Sequence, residues 1–482
     1  MSLLNCTTAG MAIYVPSADL PWNRVRLQHL FRRLGFGMPP DRIEECLSKT
    51  PSTVVQQLIA EAQNMPLPEP PDWADWTASR YQDDDEAAFD QLVSWSTGWL
   101  GDMIQKGFRE KMALFWHNHF VTELDTYFCP SWLYQYHKLL QQHALGNFKT
   151  FVYEMGKTPA MLVYLNGVQN VRGEPNENYA RELFELFTLG ENNGYTQTDI
   201  TEAARALTGW NGFTELCAPI GYLQLAHDPG MKTIFGKTDR FDYDSLHNLL
   251  FEERGEQIAT FICTKIYRHF VSPTIDEAIV AQMATTFRAN DFEIAPVLLQ
   301  LFQSEHFFDD PIIGTQIKSP LEMMIGIVVE WGIPELDDEV LYTILFLASE
   351  MGQRLFNPVD VAGWQEDRTW IDSNKLSQRW QAGSNVVFSI YSDAPEFFRQ
   401  FAKFLSEDST DPFYITRVIS DHMLAKGFAN DVEYDRATAV FKSEVPENYF
   451  EDGTWNLDWD IAPVQVALLL NYLVRQPAFQ LS

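Results

Sequence analysis

One predicted helix, residues 176–189, gathers four chemically capable side chains on a single face. Stepping about 100° per residue places Asn178, Arg181, Glu182 and Glu185 within about 100° of one another, opposite a broad apolar face. Two carboxylates one turn apart, beside an amide and a guanidinium, suit a divalent cation or a general acid–base pair. The alternative is a solvated face on which Arg181 forms ion pairs one turn away. The spacing leaves both interpretations open.

A second candidate segment, residues 111–124, is apolar nearly all round and is predicted to be a buried helix that carries His117 and His119. Positions i and i+2 point about 200° apart, so the two imidazoles cannot bind one ion together. Either histidine could face a site, and either could make a hydrogen bond in the core. Joined to Glu182 and Glu185, an imidazole would suit Zn, Mn or Fe better than Ca.

A turn sequence, His227-Asp228-Pro229-Gly230, lies at the tip of a β-hairpin predicted near residues 220–236. Loop residues there can reach over a helical site, so His227 is a further candidate metal ligand. Asp228 and Lys232 are candidates for orienting the substrate. Aspartate before Pro-Gly is also ordinary turn chemistry, and a lysine at this position could equally be solvated.

The elements that must position these residues are predicted to be almost all helical. The fold class is mainly α, a large multi-helical orthogonal bundle, in which two β-prone segments (222–226 and 232–235) form the one hairpin. The predicted helices span 24–34, 41–48, 52–63, 84–124 with a break near Gly107, 131–144, 148–156, 176–189, 198–207, 243–251, 255–269, 275–288, 294–304, 320–331, 337–351, 376–391, 396–405, 412–425, 431–441 and 459–475.

The predicted organisation has three parts: an N-terminal extension (1–21), a helical body (22–390) and a C-terminal helical region packed on it (391–482). The hairpin region, residues 210–241, is an insertion in the body. The longest apolar segment, residues 461–474, is too short to span a bilayer, so no transmembrane segment is expected.

The composition and charge of the chain limit the classes of binding partner that we expect. With 46% hydrophobic and 21% charged residues, the chain is neither disordered nor fibrous as a whole. The 35 Lys+Arg against 66 Asp+Glu give a formal net charge of −31. Such a field repels phosphate backbones and anionic membrane surfaces, so nucleic acid is not an expected partner, whereas a cation is.

The start of the chain has no basic segment followed by an apolar one, so a signal peptide is not predicted. Five cysteines lie scattered without a CxxC pair, a pattern typical of reduced thiols and unlike a thiolate zinc site. Both observations predict a cytoplasmic protein. The usual marks of dinucleotide-binding, P-loop, α/β-hydrolase and zinc-deaminase proteins are absent from the sequence.

Several longer motifs stand out beside these single residues. They are Phe115-Trp116-His117-Asn118-His119-Phe120, Asn176-Glu177-Asn178-Tyr179-Ala180-Arg181-Glu182-Leu183-Phe184-Glu185-Leu186-Phe187-Thr188-Leu189-Gly190, Glu202-Ala203-Ala204-Arg205-Ala206-Leu207-Thr208-Gly209-Trp210 and Phe356-Asn357-Pro358-Val359-Asp360-Val361-Ala362-Gly363-Trp364. Residues 29–37, 227–233 and 317–320 add shorter pieces. Over roughly residues 22–390 the chain thereby resembles the bacterial domain of unknown function 1800 family.

The resemblance implies a large, mainly helical protein with no established activity. Genes of this family often lie beside those of a second uncharacterised family that resembles sulfatases and phosphatases, which makes a sulfatase-like protein a candidate partner. Many family members carry export signals, and the absence of one in this sequence departs from that pattern.

The sequence is compatible with two functions from different classes. The first is a metal-dependent enzyme, hydrolytic or oxidative, with a buried Glu/His/Asn/Arg centre that uses Zn, Mn or Fe. The second is a non-catalytic binding or assembly protein in which the same polar residues form a structural network. In the second case, Glu182→Gln would lower the melting temperature and leave capture of the partner intact.

Overall fold

The computed structural model describes residues 9–81, 85–212, 215, 217–334 and 336–482. It contains 24 α-helices within these ranges, which confirms the mainly α prediction. They are α1 (Arg24–Leu34), α2 (Ile43–Leu47), α3 (Pro51–Asn64), α4 (Ala78–Tyr81), α5 (Asp85–Lys106), α6 (Phe108–His119), α7 (Leu124–Tyr127), α8 (Pro130–Gln142), α9 (Phe148–Met155), α10 (Pro159–Tyr164), α11 (Asn178–Glu185), α12 (Gln197–Ala206), α13 (Tyr243–Phe270), α14 (Glu277–Ala289), α15 (Ile294–Phe302), α16 (Glu305–Phe308), α17 (Pro320–Trp331), α18 (Asp338–Glu350), α19 (Ser373–Asp393), α20 (Pro395–Ser406), α21 (Pro412–Met423), α22 (Asp431–Lys442), α23 (Asn448–Glu451) and α24 (Ala462–Leu473). Short 3-10 helices occupy Pro40–Arg42, Gly167–Gln169, Gln224–Ala226, Asp367–Trp370 and Pro477–Gln480.

Local chemistry explains where the best-defined helices begin and end. In α17, Ser319 and Glu322 form a reciprocal capping box and proline occupies the first helical position. Gly332 then closes the helix with a left-handed φ of 69°. The predicted bounds of α17 and of α1 are therefore those observed. The break predicted near Gly107 is also present, between α5 and α6.

The β structure differs from the prediction. Two short antiparallel hairpins are present in the described residues, β1 (Trp210–Asn211) with β2 (Gly221–Tyr222), and β3 (Lys232–Ile234) with β4 (Lys237–Asp239). The predicted pairing of residues 222–226 with 232–235 is wrong. The reason is the turn: Phe235 and Gly236 both take positive φ, 50° and 77°, which suits a two-residue hairpin loop.

The cysteines also depart from the prediction. Cys129 and Cys217 form a disulfide across 88 residues of sequence, with their Cα atoms 5.5 Å apart. Cys46 and Cys263 are free and buried, and Cys6 lies outside the described residues. The expectation of reduced thiols is therefore wrong for the bonded pair. The two cysteines are remote in sequence, so no short spacing between cysteines predicts the bond.

One continuous hydrophobic core runs from the first helices to the last, including Leu27 and Leu470, both fully buried. Helix α21 contacts α1 through His422, whose carbonyl accepts hydrogen bonds from Gln28 Nε2 at 3.0 Å and Arg32 Nη2 at 2.8 Å. The His422 Nε2 in turn donates to the Glu330 carbonyl at 2.6 Å. None of the helices in the described ranges is long and apolar enough to cross a membrane.

Candidate functional site

The predicted polar face on α11 is present and is organised around Arg181. Its guanidinium lies 3.0 Å from Glu177 Oε2 and 3.3 Å from Glu185 Oε1, and it donates to Gln197 Oε1 at 3.0 Å. Asn178 begins the helix and is exposed. The ion pairs of the solvated-face alternative therefore exist, and they are half-exposed pairs that contribute little to stability.

Glu182 differs from its neighbours on the same helix. Burial raises the pKa of its carboxyl to about 7; the negative charge of Glu185 adds to this and the positive charge of Arg181 opposes it. No hydrogen bond joins the Glu182 carboxyl to any described residue. A carboxyl that exchanges its proton near neutral pH is suited to general acid–base work.

His117 lies in the core with both ring nitrogens engaged. Its Nε2 accepts a hydrogen bond from the Phe356 N–H at 3.1 Å, so Nδ1 carries the proton and donates to Tyr136 Oη at 2.8 Å. Burial lowers the pKa of His117 to about 3. The side chain is neutral and joins α6 to the segment that follows α18.

His119 contacts the segment just after α11, but its partner there is a backbone carbonyl and not a carboxylate of the predicted site. Its Nε2 donates to the Phe187 carbonyl at 3.1 Å, and its Nδ1 accepts from Lys265 Nζ at 3.0 Å. Burial, and then the charge of Lys265, hold the pKa of His119 well below its usual value. As with His117, neither nitrogen has a lone pair left for a metal ion in this arrangement.

The structure does not bring the predicted metal ligands into one group. Within the described ranges, no cluster of three or more His, Cys, Asp or Glu side chains is placed to hold a metal ion. His227 is buried, and its Nδ1 donates to the Thr208 carbonyl at 3.0 Å. No three of the predicted ligands His117, His119, Glu182, Glu185 and His227 therefore form such a cluster.

Asp228 and Lys232 hold the loop between the two hairpins against α12. Asp228 Oδ2 accepts from Arg205 Nε at 2.7 Å, and this bond lowers the pKa of the carboxyl. Lys232 is buried and donates to the Asp228 and Gly230 carbonyls at 2.6 and 3.1 Å. Both side chains therefore have clear partners: Asp228 pairs with Arg205 of α12, and Lys232 with carbonyls of the loop.

Two of the motifs converge elsewhere, at the junction of α6 with the loop after α18. Asn118 Oδ1 accepts from the Trp364 N–H at 2.6 Å, while its Nδ2 donates to the Trp364 carbonyl at 3.1 Å and to Glu366 Oε1 at 3.3 Å. Gly363 has a φ of 81°, and a Cβ there would lie 2.6 Å from the Asn118 carbonyl oxygen. Glycine is required for this close approach.

Asn118 thereby positions a pair of groups that sequence analysis did not single out. Glu366 Oε1 lies 2.8 Å from Nδ1 of His269, a residue of α13. Burial alone would raise the pKa of Glu366, but the imidazole and its hydrogen bond hold that pKa below its usual value. The other ring nitrogen, His269 Nε2, is buried and has no hydrogen-bond partner among the described residues.

A buried ion pair lies beside this pair. Lys111 of α6 contacts Glu322 of α17, with 2% of the lysine side chain and 21% of the glutamate side chain exposed. Glu322 Oε2 also accepts from the Ser319 N–H at 2.6 Å. Burial would raise the pKa of Glu322, but Lys111, and after it His269, lower that pKa to about 2.

These groups line a small cleft whose volume is about 30 Å³, on the order of one or two water molecules. Its charged and aromatic lining consists of His269, Glu322, Trp364, Glu366, Asp367 and Trp370. Trp364 Nε1 is a second buried atom without a partner among the described residues. Two of the residues that line the cleft, His269 and Trp364, therefore each carry a buried nitrogen without a partner among the described residues, and the cleft has room for a small polar group.

Only some residues of this cleft could have been identified from the sequence. Asn118 and Trp364 lie within recognised motifs, and Glu366 follows one of them by two residues. His269 and Lys111 lie in helices whose pattern predicts only burial, and no spacing connects them to Glu322.

Comparison with known proteins identifies a family. The profile of a family described as "Protein of unknown function (DUF1800)" matches residues 29–481, and so continues well past residue 390, where the resemblance of the motifs ended. No curated protein and no solved structure matches the chain. The motifs that meet at the cleft are among those that carry the resemblance, and the chain belongs to the DUF1800 family.

Proposed function

We propose that the protein is a hydrolase in which His269 acts as the general base of the cleft. The observation that carries the proposal is the state of the imidazole. Its Nδ1 is held by Glu366 at 2.8 Å, its Nε2 is buried and unpartnered among the described residues, and His269 is one of the residues that line the cleft. A carboxylate that fixes the tautomer and stabilises the imidazolium is the recurring arrangement of imidazole bases.

In this proposal each group has a role. Because Glu366 accepts from Nδ1–H, the lone pair is on Nε2, where it can take a proton from a water molecule in the cleft. Asn118, bonded to Glu366 Oε1 at 3.3 Å, is a positioning residue for the carboxylate. The Trp364 Nε1–H is a donor available to an oxygen of the substrate or the attacking water.

The test is a panel of p-nitrophenyl esters, phosphates and glycosides assayed with the full chain. We expect turnover of at least one class, with His269→Gln reducing kcat/KM by roughly 100-fold or more. Glu366→Gln should cause a smaller loss, because the imidazole remains but its orientation is weakened.

The matched control is His143→Gln. His143 Nε2 pairs with Glu154 Oε2 at 2.8 Å, the same chemistry away from the cleft lining, so its loss should leave activity unchanged. Activity that survives His269→Gln, or a panel on which the wild-type protein shows no turnover, would contradict the proposal.

A metal-dependent acid–base centre at Glu182 is the second candidate, and the raised pKa of about 7 favours it. It would use Zn, Mn or Fe with Glu185 as a neighbouring ligand. Metal analysis of the purified chain separates the two: less than about a tenth of an equivalent, with no gain on adding these ions, argues against a metal enzyme. Loss of turnover in Glu182→Gln, but not in His269→Gln, would favour this centre.

A third candidate is an assembly protein that works with a sulfatase-like partner. The ion pairs of Arg181 with Glu177 and Glu185 support it, since they account for the polar face without catalysis. Capture of a purified sulfatase-like protein, undiminished in His269→Gln and Glu182→Gln, would favour this function.

The disulfide supports a proposal about location. Bonds such as Cys129–Cys217 form and persist in oxidising compartments and are rare where glutathione keeps thiols reduced. We propose that the protein is exported, in place of the cytoplasmic location expected from the start of the sequence. Fractionation of the native host tests this: recovery of the protein in the cytosol with all its thiols free would contradict it.

A further inference from the structure

Lys157, just after the end of α9, is surrounded by aromatic rings. Its Nζ lies 3.5 Å from the ring centroid of Tyr153, 4.7 Å from that of Tyr243 and 5.8 Å from that of Trp210. The Tyr243 ring is inclined by 66° to Tyr153 and by 68° to Trp210, so the three rings face the ammonium from different directions. We call these three rings the aromatic cage.

The Lys157 ammonium is held by cation–π contacts with the rings of the aromatic cage and by a long ion pair. Lys157 Nζ makes no hydrogen bond to a described residue, and its ion pair with Asp244 Oδ1 spans 3.8 Å. The lysine side chain is 26% exposed, and burial lowers its pKa.

We propose that Tyr153, Tyr243 and Trp210 form a binding site for a quaternary ammonium group, and that Lys157 fills it as an internal occupant. Ring faces attract cations most strongly when the cation is poorly hydrated, as a methylated ammonium is. A quaternary ammonium has no N–H to satisfy, so it loses no hydrogen bond when it is held against ring faces. Asp244 and the net charge of −31 add attraction for a cation.

The internal occupant sets the affinity of the native chain. Because Lys157 is tethered, it competes at a high effective concentration, so an external ligand must displace it. The residues of the cage come from α9, β1 and the first turn of α13. When a ligand binds, a soluble cation would therefore replace Lys157, which connects these three elements. The site is separate from the cleft, whose lining contains none of these residues.

The test compares choline binding by the full-length wild type and by Lys157→Ala, with calorimetry and tryptophan fluorescence. We expect choline to bind Lys157→Ala at least about tenfold more tightly than the wild type. The uncharged carbon analogue 3,3-dimethyl-1-butanol should show no such gain, and adding Tyr153→Leu to Lys157→Ala should abolish it.

Lys149→Ala is the matched control, because Lys149 lies over Phe292 and Phe251 but also pairs with Asp291. Choline should bind this variant no better than the wild type. Lys157→Ser serves if Lys157→Ala does not fold. The proposal is overturned if choline binds the Lys157 variants no more tightly than the wild type, or if the neutral analogue binds them equally well.

Discussion

The buried ion pair between Lys111 and Glu322 makes a sharp prediction about stability. Glu322→Gln would leave the Lys111 ammonium, whose side chain is 2% exposed, without its counter-charge. Removing one partner of a buried pair typically costs about 3–5 kcal/mol, because the remaining charge stays desolvated.

An independent magnitude follows from the titration of Glu322. Lys111, followed by His269, outweighs the effect of burial and lowers the pKa of Glu322 from 4.5 to about 2. This shift corresponds to roughly 3 kcal/mol of stability, which agrees with the cost of breaking the pair. Since the folded pKa is below the unfolded one, this stability is fully present above pH 4.5 and is lost as the pH falls towards 2.

The assay is urea unfolding, followed by tryptophan fluorescence, of the wild type and Glu322→Gln. We expect the variant to be less stable by about 3 kcal/mol at pH 7, with the difference falling to roughly half at pH 3. Glu444→Gln, at an exposed position, is the control and should be neutral at both pH values. In the double variant with Lys111→Met, most of the loss should be recovered, because no unpaired charge remains.

Two results would refute this reasoning. A Glu322→Gln variant within about 0.5 kcal/mol of the wild type at pH 7 would mean that the pair is not buried as described. A large difference that is equal at pH 3 and pH 7 would mean that the loss comes from packing and not from the charge of Glu322.

Three further predictions concern other parts of the fold. Gly363→Ala should lower the melting temperature, measured by calorimetry, because the new Cβ meets Asn118 at a backbone with a φ of 81°. Glu182→Gln should raise the melting temperature at pH 8.5 and leave it unchanged at pH 4, because a carboxyl whose pKa is raised to about 7 destabilises the fold as the pH rises from 4.5 through 7. Peptide mapping without reduction should recover Cys129 and Cys217 as one linked pair, and reduction should cost roughly 2–4 kcal/mol of stability.

Glu182→Gln also separates two explanations of the α11 face. A structural network predicts that the substitution lowers the melting temperature, whereas a strained carboxyl with a raised pKa predicts the opposite above neutral pH. Calorimetry at two pH values decides between them.

Helix positions were accessible from the sequence because their causes are local. The capping residues and proline at the start of α17 and the glycine at its end lie within or beside the helix itself. The kink at Arg254 of α13 corresponds to the break predicted between residues 251 and 255. Periodicity also anticipated that His117 and His119 would be buried, which the structure confirms.

The predicted hairpin was wrong because of the backbone conformation of the turn. The turn at Phe235-Gly236 takes two positive φ angles, and phenylalanine is an unusual residue for the first of them. The turn residues 227–230 had the more familiar composition, and they form instead a loop tied to α12 through Arg205 and Asp228.

By itself, the sequence determined the helical class, the apolar faces and the family, because these depend on residue order over one or two turns or on recognisable motifs. Only the tertiary structure decided which polar groups meet. Glu366 contacts a histidine 97 residues away, and Lys111 contacts Glu322 across 211 residues. The disulfide and the aromatic cage are likewise assembled from remote segments. The net charge of −31 predicted a cation as a ligand but no position for one. The attraction of the whole surface for cations specifies no binding site, because a site forms only where packing brings particular rings and carboxylates together.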